Sequence, residues 1–123
     1  MEALLIASTE DTPKVAFDPA KGLFEITSRS LPEDANSFYS PIADWLQNYS
    51  SAPAKENKFV FHFDYISTSS TKQLMRIFTI INSLAPNGEV SVIWRCDKGD
   101  DDMLQTGKRM QKLCNVAFVY EEV

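Results

Sequence analysis

Two hydrophobic periods alternate along this chain, one of about two residues and one of about 3.6. The clearest period-two segment is Phe59–Tyr65. Phe59, Phe61, Phe63 and Tyr65 share one side, and Val60, His62 and Asp64 share the other. Apolar groups on both sides mark a central strand. Upstream, Leu23, Glu25 and Thr27 alternate against Phe24, Ile26 and Ser28, predicting a strand over Leu23–Arg29. The turn Asp18–Gly22 joins it to Lys14–Phe17 as a hairpin, since Pro19 fixes φ and Gly22 supplies the permissive end. Ala3–Ser8 is a short apolar run, and Glu89–Arg95 and Val116–Tyr120 read as two further strands.

The helical period appears in three places. Phe38, Ile42, Trp45, Leu46 and Tyr49 recur at helical spacing. Ser30 and Glu33 stand at capping-box spacing, and Pro32 suits a first turn, so the helix is expected to start near Pro32–Asp34. Pro41 then falls inside it, where proline costs about 3 kcal/mol. Leu74, Ile77, Phe78, Ile81 and Leu84 form a second stripe, stopped by Pro86-Asn87-Gly88. Asp102–Leu113 carries Met103, Leu104, Met110 and Leu113 inward, with Gly107 as a weak point. The order is β-β-β-α-β-α-β-α-β. Strands alternating with helices require right-handed crossovers and parallel neighbours. The expected fold is α/β: one domain over residues 1–123, a mixed sheet of five or six strands, and three helices on one face or both.

Composition narrows the function. At 123 residues the chain has the length of one domain, and 44% hydrophobic with 24% charged residues is ordinary globular composition. A net charge of −5 disfavours nucleic acid and anionic membranes, both of which select for Lys and Arg. No apolar run approaches the roughly 18 residues of a membrane span. Met1–Glu10 has no basic region and carries Glu2 and Glu10, so no signal peptide is expected and the protein is read as cytoplasmic. Cys96 and Cys114 match no ligand spacing and are expected as packed free thiols.

No Gly-rich phosphate cradle, HExxH or GxSxG motif is present, and no cofactor, metal or catalytic residue is expected. His62 lies mid-strand between Phe61 and Phe63 and reads as a core or half-buried histidine rather than a base. Asp97, Asp100, Asp101 and Asp102 form an acidic turn. It reads as a solvated helix start favoured by the macrodipole, with Asp100, Asp101 and Asp102 as partner-contact candidates. The informative stretch is Tyr65-Ile66-Ser67-Thr68-Ser69-Ser70-Thr71-Lys72, in which Ser67 to Ser70 are consecutive hydroxyls between a buried strand and a helix. One cap uses one hydroxyl, expected at Thr68, Ser69 or Ser70. The remainder leave two readings open: capping alone, or a phosphorylation site at a helix N-terminus, where free N–H groups and Lys72 meet an anion.

These residues resemble the SiaC family of bacterial regulatory phosphoproteins over almost the whole chain. The resemblance rests on Thr12-Pro13, Ser30-Leu31-Pro32-Glu33-Asp34, Phe38-Tyr39, Pro41 and Asp44-Trp45-Leu46. Its most specific part is Tyr65–Lys72, similar to the family's Tyr-x-Asn-Thr-Ser-Ser-x-Lys. Trp94, Asp100-Asp101-Asp102-Met103-Leu104 and Gly107 complete it. Ser67 stands where Asn is usual, and Lys108 where Glu is usual.

The resemblance implies a fold like that of anti-sigma-factor antagonists (STAS-like) and a non-enzymatic switch. Thr68 matches the threonine phosphorylated by a histidine-kinase-like Ser/Thr protein kinase and dephosphorylated by a PP2C-type phosphatase. Tyr65, Ser67, Ser69, Ser70 and Lys72 surround it and are expected in the partner interface. The unphosphorylated form is expected to bind and activate a GGDEF diguanylate cyclase, promoting cyclic-di-GMP signalling and biofilm formation. An anti-sigma-factor antagonist, or a small metal-binding or scaffold domain, is the alternative.

Overall fold

A computed structural model describes residues 1–123. The chain runs β1 (Leu4–Ile6), β2 (Lys14–Asp18), β3 (Leu23–Ser30), α1 (Ala35–Tyr49), β4 (Glu56–Ile66), α2 (Thr68–Leu84), β5 (Glu89–Cys96), α3 (Asp101–Gln111) and β6 (Ala117–Glu122). The expected element order holds, and the sheet has six strands. They lie side by side in sequence order. β1, β2 and β3 are antiparallel neighbours, whereas β3 to β6 run parallel.

Every crossover from β3 onward steps the same way across the sheet. Right-handed crossovers that share a direction put all their helices on one face. The burial pattern agrees. Phe24 and Ile26 of β3, Phe59, Phe61 and Phe63 of β4, and Val92 and Trp94 of β5 join buried residues of all three helices in one core. Phe24 stacks on Phe59 with ring centroids 4.6 Å apart and meets Tyr49 of α1 at 5.2 Å. Each such pair adds roughly 0.5–1.5 kcal/mol to the area it buries. The opposite face has no helical cover. Across it runs the row Leu5, Ala16, Glu25, Val60, Ile93 and Val119. Val60 is buried there by its neighbours on both flanking strands, so apolar groups on both sides of β4 report a central position and not a second helical layer.

Two local readings are corrected. Ser30 does not cap α1. It ends β3, paired with Ile66 of β4 and fully buried. The cap is Asp34, whose carboxylate accepts from the Ser37 amide at 3.1 Å, and this bond holds the carboxyl below the usual carboxylate range. Pro41 lies inside α1 with its side chain exposed, so the bond that it cannot donate is lost on the solvent side. Gly107, read as a weak point, is a packing requirement. A Cβ there would stand 2.5 Å from Cδ1 of Trp94, whose Nε1 donates to the Met103 carbonyl at 3.0 Å.

Candidate functional site

Because β3 to β6 are parallel, α1, α2 and α3 all begin at the C-terminal edge of the sheet, the edge where open α/β sheets place their functional groups. The junction from β4 to α2 is one residue long. Ile66 ends the strand, Ser67 caps the helix in an extended conformation (φ −73°, ψ 161°), and Thr68 is its first residue. Ser67 Oγ accepts from the Ser70 amide at 3.1 Å, and the Ser67 amide donates to the Ser30 carbonyl at 2.9 Å. The second bond ties the start of α2 to the end of β3.

The hydroxyl cluster divides by role. The cap is Ser67, not Thr68, Ser69 or Ser70 as the sequence led us to expect. An Asn caps equally well, which reconciles Ser67 with the family's usual residue. Ser70 has no exposed surface, although the resemblance led us to expect it in the partner interface. Its Oγ accepts from Ser30 Oγ at 2.9 Å and from Ser67 Oγ at 3.0 Å. Ser30 Oγ lies 2.6 Å from the Tyr39 hydroxyl. The single Ser30 proton goes to Ser70, so Tyr39 donates to Ser30. A directed chain from Tyr39 through Ser30 to Ser70 therefore anchors α2 to α1 and β3. Burial pushes the Tyr39 phenol up to about 12. Thr71 Oγ1 donates back to the Ser67 carbonyl at 3.0 Å.

That leaves Thr68 and Ser69. Both are exposed, and neither side chain makes a hydrogen bond within the chain. Their amides belong to the first turn, which has no intrahelical acceptors. The dipole of α2 makes this end favourable for an anion. Lys72, one turn on, is exposed and shares a shallow cleft with Glu33, Asp34, Asn36, Ser69 and Gln73.

Tyr65 stands beside this turn, 44% exposed, with the Arg29 guanidinium 5.0 Å over its ring. The β3–β4 register slips by one residue at Ser28/Arg29, where Ser28 takes φ +90°, and the slip sets Arg29 opposite Tyr65. A non-glycine residue in that region costs about 1–3 kcal/mol.

The acidic turn is not brought onto this cluster. Asp100 caps α3 by accepting from the Met103 amide at 3.1 Å, and Asp101 and Asp102 fill the first turn. No hydrogen bond or ion pair joins them to residues 65–72. Asp97 instead meets His62 Nε2 at 3.0 Å, leaving His62 half-buried at the sheet surface. No three His, Cys, Asp or Glu side chains gather as metal ligands. Cys96 and Cys114 are free, and burial pushes both thiols up. No helix is long and apolar enough to cross a membrane.

Sequence reasoning missed Ser30 and Tyr39 as supports of this site. Ser30 lies 40 residues from Ser70, and no spacing rule links them. The one available signal was a polar residue closing a buried strand.

No curated protein matches the chain at a significant level. Solved structures do. SiaC of Pseudomonas aeruginosa is similar at a TM-score of 0.88 and 21% identity, covering 100% of both chains. The crystal structure of apo-SiaC from the same organism gives 0.86 at 20% identity, covering 98% of this chain and 99% of that one. The crystal structure of diguanylate cyclase SiaD in complex with its activator SiaC, also from Pseudomonas aeruginosa, gives 0.88 at 20% identity over 98% and 99%. At such identities the likeness shows a shared fold. The family model described as SiaC family regulatory phosphoprotein matches residues 6–123. A hydroxyl-rich helix start on this fold thus sits in a chain that belongs to the SiaC family of regulatory phosphoproteins.

Proposed function

We propose that this protein is a phosphorylation-controlled switch with no enzymatic activity of its own. In its unphosphorylated form it binds and activates a diguanylate cyclase, raising cyclic-di-GMP. Phosphorylation of Thr68 blocks that binding. The observation that carries the reading is the free, exposed hydroxyl of Thr68 at the first position of α2, in a family of regulatory phosphoproteins. Of the other hydroxyls from Ser67 to Thr71, all but that of Ser69 are committed to the fold. The complex of the related SiaC with the cyclase SiaD supports the choice of partner. A histidine-kinase-like Ser/Thr protein kinase would add the phosphate and a PP2C-type phosphatase would remove it, in the cytoplasm.

Magnitudes favour direct interference over refolding. A phosphate at a helix N-terminus gains about 0.3–1 kcal/mol, up to ~2 when partly buried. Inverting a two-state equilibrium from 1:99 to 99:1 takes about 5.5 kcal/mol. The same group adds roughly −1.5 to −2 charge, and leaving a charge unpaired in an interface costs several kcal/mol. Phosphorylation therefore leaves the fold intact and spoils the contact.

The test is intact mass with peptide mapping on protein from its native host, with and without phosphatase, followed by cyclase binding. The expected result is one phosphate on Thr68, binding by wild type and Thr68→Ala, and none by Thr68→Asp. A phosphate confined to Ser69, or undiminished binding by Thr68→Asp, overturns the assignment.

A further inference from the structure

The exposed side of α2 is unlike the rest of the chain. It presents Thr68, Ser69, Lys72, Met75, Arg76 and Thr79 in succession. The helix carries two cations, Lys72 and Arg76, and no acidic residue, in a chain whose net charge is −5. Neither cation is spent within the fold. The ion pairs are Arg29–Asp11, His62–Asp97 and Arg95–Glu121, all elsewhere. Of the two carboxylates in the cleft, Glu33 and Asp34, the second is committed to the cap of α1, and neither forms an ion pair with Lys72. Between the two cations lies Met75, 42% exposed in the middle of a helix. Thr79 Oγ1 donates to the Met75 carbonyl at 3.0 Å, so its hydroxyl is occupied by the backbone.

We infer that this strip is the docking surface for an acidic, amphipathic partner face. Carboxylates of that partner pair with Lys72 and Arg76, and an apolar residue meets Met75. The inference rests on the proposed function and supplies the chemistry of the partner. It also gives the phosphate a specific target. Thr68 and Lys72 are four residues apart on one helix and are therefore neighbours. A phosphate of roughly −1.5 to −2 charge on Thr68 takes Lys72 for itself and cancels the positive field of the strip. The switch then reaches partner contacts beyond its own position without moving the backbone. Such charges act mainly on the association rate and its salt dependence.

The test uses the full chain and the purified diguanylate cyclase, with association and dissociation rates measured across a NaCl series. Arg76→Glu lies two turns from Thr68 and Met75→Ala is exposed, so neither disturbs the phosphosite or the core. Lys55→Glu makes the same charge change in the loop before β4, at the opposite end of the sheet. Arg76→Glu is expected to weaken binding at least tenfold, mostly in the association rate, and to flatten its salt dependence. Met75→Ala is expected to speed dissociation several-fold, and Lys55→Glu to stay within twofold of wild type. Arg76→Glu and Met75→Ala both within twofold of wild type, while Thr68→Asp still abolishes binding, overturns the docking surface and leaves the proposed function standing. Wild type failing to bind the cyclase at all overturns both.

Discussion

Removing the Ser30 hydroxyl interrupts the buried chain behind the phosphosite. Tyr39 and Ser30 are both fully buried, and the 2.6 Å contact between them is the one that takes the Tyr39 proton. In Ser30→Ala that proton has no acceptor, and a buried donor left unpaired costs about 1–3 kcal/mol. Ser70 loses the Ser30 donor at 2.9 Å but keeps Ser67 at 3.0 Å, which adds little. Ser70 also lies close enough to Tyr39 to act on its pKa, so partial re-pairing sets the low end of the range. Tyr39→Phe is the informative contrast. It removes a donor and leaves the Ser30 proton satisfied by Ser70, so its cost stays near 1 kcal/mol. Urea denaturation at pH 7 reads both changes as midpoint shifts at constant slope. In thermal melts the central value of about 2 kcal/mol corresponds to a fall of roughly 8 °C for a domain of this size. The double variant is expected to cost less than the two singles together by at least about 0.5 kcal/mol, because both break one contact. Ser30→Ala no more destabilising than Tyr39→Phe, with strictly additive singles, refutes the directed chain.

The phenol of Tyr39 gives an alkaline dependence. Its pKa is raised from 10.0 to about 12 in the fold, so its stabilising share is complete below pH 10 and is lost as pH rises through the folded value. Two units amount to at most about 3 kcal/mol, and wild type is expected to lose stability relative to Tyr39→Phe between pH 10 and pH 12 in urea titrations. Gly107→Ala would gain up to about 1 kcal/mol in an open helix. Here the added carbon meets the Trp94 ring at 2.5 Å, so a net loss of about 1–3 kcal/mol is expected by the same assay. Ser67→Ala is expected to cost about 1 kcal/mol through the lost cap, and Ser67→Asn to be near neutral. Equal losses in the two variants would mean that the Ser67 hydroxyl matters for more than the cap.

Much of this protein is written in local pattern. The alternation of Phe59, Phe61 and Phe63 and the stripe of Leu74, Ile77, Phe78 and Ile81 set strand and helix, because the backbone period alone decides which side chains share a face. The order of those elements, with helices between the later strands, required the parallel half of the sheet. The segment from Tyr65 to Lys72 was visible as a hydroxyl-rich helix start for the same local reason. What the residues there do was not visible. Ser67, Thr68, Ser69 and Ser70 are chemically alike, and helix geometry turned one to the cap, two to solvent and one into the core. Ser70 became buried only because β3 delivers Ser30, and α1 delivers Tyr39, to the point where α2 begins. The covered face of the sheet was likewise decided by the direction in which successive crossovers stepped, which no stretch of sequence encodes by itself. Secondary structure follows from neighbours a few residues apart, whereas burial and hydrogen-bond partnership follow from which distant segments pack together, and Thr68 was left free by that packing.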